Sequence, residues 1–385
     1  MKMNQFKSLF FMFTLIMGHA YGQGWNEVQA PNASGQNQLF GVTAVGPSEA
    51  FAVGYSGNDA IRNTLVLHIL NGKVQVMSTP NNSGFAINEL RSVWASGPCD
   101  VWAAGRLINP STLPTATLIL HYDCVSWKII SSPNPDSGSN ELFAIAGTSS
   151  TNIYAGGSHS SINSDSVTQN LLLHFNGTSW NVITNFPNPS GTGVNNEIEG
   201  LSASASNNVW AVGVTGNTGS SIAPFAFQFN GTNWMTTKVV PHNSGASQSF
   251  FSGVATNSPS DVWAVGRTVG TSTLPNFQHW NGASWTQFFW RKLDSSMAIN
   301  NVTVLGVSCS GTTCYSVGQI QGSALILKWD PASGLWLQVQ AAVSPNPEDL
   351  FGISLFPRGS AFTAGIQFPG STGQQDNLIE QNPKP

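Results

Sequence analysis

Short apolar stretches bounded by turn-forming residues run along the whole chain, and none carries a helical period. Such stretches predict strands. One segment recurs with an aromatic residue, two small residues and a glycine: Phe51-Ala52-Val53-Gly54, Trp102-Ala103-Ala104-Gly105, Tyr154-Ala155-Gly156-Gly157, Trp210-Ala211-Val212-Gly213, Trp263-Ala264-Val265-Gly266, Tyr315-Ser316-Val317-Gly318 and Phe362-Thr363-Ala364-Gly365. The closing glycines stand 51, 52, 56, 53, 52 and 47 residues apart. Twelve positions before the glycine comes an apolar anchor in six units: Val42, Val93, Ile145, Leu201, Val254 and Ile353; in the sixth unit Val307 is 11 before. Beyond the glycine follow a third piece, as in Leu65-Val66-Leu67-His68, and a fourth that starts near Trp127, Trp180, Trp234, Trp285 or Trp336. Asn71-Gly72, Asn176-Gly177, Asn230-Gly231 and Asn281-Gly282 lie between pieces three and four. Asn-Gly accepts positive φ, so each is expected to make a tight hairpin turn.

Four antiparallel strands repeated seven times predict an all-β chain, a seven-bladed β-propeller. The seventh unit ends after its third strand, while Trp25-Asn26-Glu27-Val28 at the other end of the chain resembles the fourth strand Trp180-Asn181-Val182-Ile183, each followed by a Pro-Asn pair. The N-terminal strand is therefore expected to complete the last blade and close the ring. Residues 23–385 then form one propeller domain, expected to be monomeric.

The units resemble kelch-type and related bacterial secreted propeller repeats, which carry a glycine pair after the second strand, then an aromatic, a turn and a Trp. Ile153-Tyr154-Ala155-Gly156-Gly157 followed by Phe175-Asn176-Gly177-Thr178-Ser179-Trp180 carries the likeness best. The resemblance implies the fold; its family includes both enzymes and interaction scaffolds. The turn before the Trp also resembles the Asp-box of sialidases, with Asn176, Asn230 and Asn281 in place of its Asp.

Composition narrows the function. Only 8% of residues are charged and the net charge is −4, which excludes a dense basic surface for nucleic acid. Lys2 and Lys7, the apolar run 9–17 and the small residues Ala20 and Gly22 predict a cleaved signal peptide over residues 1–22. No other stretch is long and apolar enough to span a membrane. The chain is thus expected to be secreted or periplasmic. Four cysteines fit an oxidising compartment. Cys309 and Cys314 flank the turn between strands one and two of unit six. Cys99 and Cys124 fall on one rim of unit two. These spacings predict Cys309–Cys314 and Cys99–Cys124 disulfides rather than a metal site.

His68, His121, His174 and His279 fill one third-strand position, with Gln228, Lys328 and Glu380 in the other units. Equivalent positions on radiating blades lie far apart, so they are expected to act as hydrogen-bonding posts. Four residues before the anchor lie Gln38, Glu89, Glu141, Glu197 and Asp349, on the strand nearest the channel. Arg106 and Arg267 follow the second-strand glycine and lead into the loops Ser111-Thr112-Leu113-Pro114 and Ser272-Thr273-Leu274-Pro275 on the same rim. A carboxylate or sulfate could be held there bidentately. The acids Glu89, Glu141, Glu197 and Asp349 with Arg106 and Arg267 are the candidate ligand-binding set. Rim loops such as Ser158–Ser164 and Gly216–Ser221 are rich in short polar side chains. Nucleophile, metalloprotease and phosphate-loop motifs are absent from the sequence, so no catalytic residue, metal or cofactor is assigned. The expectation is a secreted, non-catalytic binding module for a glycan or an extracellular protein. The alternative is a secreted enzyme acting on a saccharide-like polar substrate at the channel mouth.

Overall fold

The computed structural model describes residues 24–109, 112–162, 167–217, 221–241, 247–293, 301–342, 346–357, 360–369 and 374–382, with the backbone alone for 112 and 113. The expected signal segment 1–22, Ser111, Asn163, Ser164 and residues 218–220 lie outside the described residues. Among those described, every regular element is a strand. The third unit shows the pattern: Ser139–Ser149, Asn152–Ser160, Gln169–Phe175 and Trp180–Val182 pair in antiparallel order. Each unit has a long first strand, a mostly buried second strand and a short outer fourth strand. The second strand reads as an unbroken apolar run because sheets of neighbouring units cover both its faces. Three hydrogen-bonded sheets have four strands and two are longer. The longer ones arise from parallel pairing of Phe289–Arg291 with Leu335–Leu337, and of Arg62 with Ile87.

The last sheet draws on both ends of the chain. Glu348–Leu355, Ala361–Gln367 and Asp376–Asn382 pair in turn, and Asn26 and Glu27 face Gln381 and Glu380 at the outer edge. First strands of successive units lie backbone to backbone. A Cβ on Gly352 would meet the Phe40 carbonyl oxygen at 2.9 Å, so the last first strand also lies against the first one.

The core is divided between the units. A second-strand aromatic meets the fourth-strand Trp of the following unit: Phe51 with Trp127, Trp102 with Trp180, Tyr154 with Trp234, Trp210 with Trp285 and Trp263 with Trp336. All five pairs are steeply inclined, at 70–89°, the edge-on arrangement that the ring quadrupole favours by about 0.5–1.5 kcal/mol beyond area burial.

Two sequence expectations need correction. Only Asn71-Gly72 makes the tight turn with both residues at positive φ, 52° and 74°. Asn176, Asn230 and Asn281 instead open four-residue turns, their Oδ1 accepting from the backbone N–H groups two and three residues on. A side-chain acceptor there replaces the backbone geometry of the two-residue loop. Asp123 and Asp330 do the same in units two and six. The seventh member of the histidine series is Gln381, which faces Phe362; Glu380 faces Thr363, one residue away and on the opposite side of the strand. The sixth unit's shorter anchor spacing also has a cause. Its first hairpin lacks the second bulge seen in the first five, and Ser310 faces Thr313 directly.

Candidate functional site

The repeat glycine shapes the rim. A Cβ on Gly54, Gly105, Gly157, Gly213, Gly266, Gly318 or Gly365 would fall 1.8–2.1 Å from the carbonyl oxygen of Gln38, Glu89, Glu141, Glu197, Phe250, Thr303 or Asp349 respectively. No side chain fits, so the first strand presses onto the second at the acid position itself. Directly beyond it each first strand bulges by one residue: Phe40, Arg91, Phe143, Glu199, Ser252, Leu305 and Phe351. A bulge turns its extra residue out of the ladder and re-aims the side chain. Bulged residues of neighbouring units meet. Arg91 lies over the Phe40 ring at 4.1 Å, and Phe40 stands edge-on to Phe351 at 5.5 Å.

Units one to three carry a neutralised network. The fully buried Glu89 carboxylate accepts from Arg91 and Arg106 at 2.9 Å each, and from Arg62 of the preceding unit. Arg106 reaches on to Glu141 at 2.8 Å. Burial alone would raise the Glu89 pKa, but Arg91, Arg106 and Arg62 together hold it below the usual carboxylate range. Tyr55 donates to Gln38 at 3.1 Å beneath the Arg62 guanidinium.

Unit four and its neighbour differ. Glu197 accepts one bond, from the Thr168 hydroxyl at 3.0 Å; burial raises its pKa, and Glu141 adds to the rise. Glu199 makes no hydrogen bond or ion pair among the described residues. Burial, reinforced by Glu197, pushes it up to about 7 against the pull of Arg267 and Arg91. Arg267 faces Phe250 across the ladder, with its guanidinium over that ring at 4.4 Å. Burial lowers its pKa while Glu199 opposes. Asp349 is also raised by burial.

The candidate set therefore splits. The structure brings Glu89, Arg106 and Glu141 into contact and sets Glu197 next to them electrostatically. No interaction joins Arg106 to Arg267, or Asp349 to the others, among the described residues. Sequence reasoning missed Arg62, Arg91 and Glu199. The bulge position, two before the apolar anchor in every unit, would have found the last two. Among the described residues no cluster of three or more His, Cys, Asp or Glu side chains could hold a metal.

On the opposite rim the histidine posts are paired. His68, His121 and His279 bond Glu49, Asp100 and Asp261 at 2.7–2.8 Å, and His174 bonds Asn152 at 2.7 Å. Each imidazole also lies against the second-strand aromatic beside it, as His121 does on Trp102 at 4.1 Å. Gln228 takes the same place with Asn208. These are the hydrogen-bonding posts that the recurrence predicts. Both disulfides, Cys99–Cys124 and Cys309–Cys314, lie on this rim.

No protein-family model and no curated protein matches the chain. Solved structures do. The chain is similar to polysaccharide lyase Uly1, with 10% identity over 96% of this chain and 94% of that one, at a TM-score of 0.55. It is similar to Penicillium chrysogenum α-L-arabinanase complexed with arabinobiose, with 8% identity over 94% and 98%, at 0.52. A prolyl endopeptidase structure aligns at 15% identity over 89% of this chain and 47% of that one, at 0.51. At such identities the likeness shows the fold alone. Together with the four-stranded antiparallel units it places the chain in the β-propeller class.

Proposed function

We propose that the chain is an exported, seven-bladed propeller closed by its N-terminal strand, and that it binds a glycan on the face where the first strands begin. The observation that carries this reading is the contrast between the two rims. On one, the histidine posts are each matched by a partner. On the other, Glu199, Asp349 and Arg267 make no hydrogen bond to the described protein and stand in a ring that also presents Phe40 and Phe351. Polar groups with unused hydrogen-bonding capacity beside aromatic faces suit a hydroxylated ligand. Two propellers of similar fold, one a polysaccharide lyase and one complexed with arabinobiose, lend support. The two disulfides support an oxidising compartment, and with it removal of residues 1–22. A glycan array probed with the purified chain tests the reading. Binding that Phe40→Ala and Phe351→Ala weaken is expected; binding indifferent to both sinks it.

A second reading has one observation in its favour. A carboxyl held near neutral pH, as Glu199 is, suits an acid catalyst acting on a saccharide. Release of reducing ends from a glycan bound in the array, lost in Glu199→Gln, would establish an enzyme. Binding without release keeps the module non-catalytic.

A further inference from the structure

Arg106 and Arg267 occupy the same place in their units, one residue after the repeat glycine. Their surroundings differ at two places, across the ladder and in the following unit. Arg106 faces Glu89 and is held by it and by Glu141. Arg267 faces Phe250, which supplies a flat surface and no acceptor. The following unit has Thr303 where the unit after Arg106 has Glu141. Arg267 is partly withdrawn from water, yet none of its N–H donors is bonded to protein among the described residues. A guanidinium presents five donors in a fixed fork, and those of Arg267, partly open to solvent, are left for a ligand. Stacking on Phe250 fixes the plane of the fork.

We propose that Arg267 is a receptor for an oxyanion carried by the ligand, a carboxylate or sulfate group, so that the ligand is an acidic saccharide. This rests on the reading of this face as the glycan-binding face. The planar fork matches either oxyanion with two parallel hydrogen bonds. Glu199 is the carboxylate that acts electrostatically on Arg267, and it forms no ion pair with it. In its protonated form it leaves Arg267 uncompensated and adds a donor of its own. Arg91 and Glu197 are the other charged groups acting on Glu199. Ionisation of Glu199 puts a like charge beside the bound anion, so affinity falls as pH rises through neutrality.

The test is calorimetric titration of the purified chain with an oligogalacturonate and its methyl ester, and with a κ-carrageenan oligosaccharide and its desulfated form. One charged probe is expected to bind at least about ten-fold tighter than its uncharged counterpart, and which one identifies carboxylate or sulfate. Arg267→Met removes that preference, Arg267→Lys keeps part of it, and Arg106→Met retains it. In Glu199→Gln the fall of affinity between about pH 5.5 and 8.5 disappears. Charged and uncharged forms binding alike, a preference that survives Arg267→Met, or no binding of either charged probe overturns the proposal. Uncharged probes that bind would leave the glycan reading standing while this inference fails.

Discussion

Trp25 stands edge-on to Tyr315, ring centroids 5.6 Å apart and planes at 84°. The other five fourth-strand tryptophans stand this way against the second-strand aromatic of the preceding unit. Trp25 takes the sixth place although it precedes Tyr315 by most of the chain. Its neighbours Tyr315, Val317, Ile326, Leu350 and Leu378 belong to units six and seven. The backbone agrees, since Val28 N–H donates to the Ile379 carbonyl at 2.8 Å and Pro31 and Asn32 bond Asn377.

The proposed closure therefore has a measurable consequence. Trp25→Ala is expected to cost about 3–5 kcal/mol, as a core Trp does, and to match Trp336→Ala within error. Removing residues 24–32 exposes the edge of Asp376–Asn382 and is expected to cause aggregation. A Trp25→Ala chain whose urea midpoint equals the wild type's would disprove closure by this strand.

The Glu89 network is expected to fail asymmetrically. Arg106→Met leaves a fully buried carboxylate with fewer donors and costs about 3–5 kcal/mol. Glu89→Gln costs less, because the arginines retain solvent or Glu141. The Glu89 pKa is depressed in the fold, so its contribution is present above the unfolded value of 4.5 and lost as pH falls through the folded one. Acid-induced melting of Glu89→Gln should thus be shallower than that of the wild type. Equal loss in both variants would show that the arginine, not the buried charge, carries the stability.

Each disulfide closes a loop of known size. Cys99–Cys124 spans 25 residues and Cys309–Cys314 spans 5. Chain entropy assigns about 3.5 kcal/mol to the first and about 2 kcal/mol to the second. Paired Cys→Ser variants should lower the urea midpoint in that order. Peptide mapping without reductant that recovers free thiols at these positions would contradict both bonds and the exported address.

How much of this was legible in the sequence depended on whether a position repeats its chemistry. Val42 and its counterparts, Gly54 and its counterparts, and the tryptophans recur because each unit packs them alike. The bulge position repeats in geometry but not in chemistry, with Phe40, Arg91, Glu199 and Ser252 among its occupants. It leaves no periodic mark. Arg62 was invisible for another reason: its partner Glu89 belongs to the next unit. Glu380 was misplaced by one residue because a polar side chain there satisfied the histidine pattern, while only the ladder distinguishes it from Gln381.

That one-residue difference creates a pH-dependent seam. Glu380 lies fully buried in the strand that pairs with the N-terminal strand, facing Glu27 on one side and Thr363 on the other. One carboxyl oxygen accepts from Ala342 N–H at 3.1 Å; the other has no partner. Burial, with Glu348 and Glu27 adding repulsion, pushes its pKa up to about 8 from 4.5. The folded state thus binds more protons than the unfolded one between these values, so stability falls as pH rises, by about 1.4 kcal/mol per unit from this group alone. Glu199, raised to about 7, adds the same sign over a narrower window. Glu380→Gln keeps the hydrogen-bond acceptor and removes the charge. It is expected to melt close to the wild type near pH 5 and clearly higher near pH 8, with the residual slope due to Glu199 removed in the double variant Glu380→Gln/Glu199→Gln. Trp25 fluorescence, read in a chain whose other tryptophans supply the baseline through Trp25→Phe, should report the N-terminal strand loosening first on the alkaline side. A wild-type melting temperature that is flat from about pH 5 to 8 would mean that Glu380 is ionised in the fold with a counter-charge, and the seam would have no pH dependence.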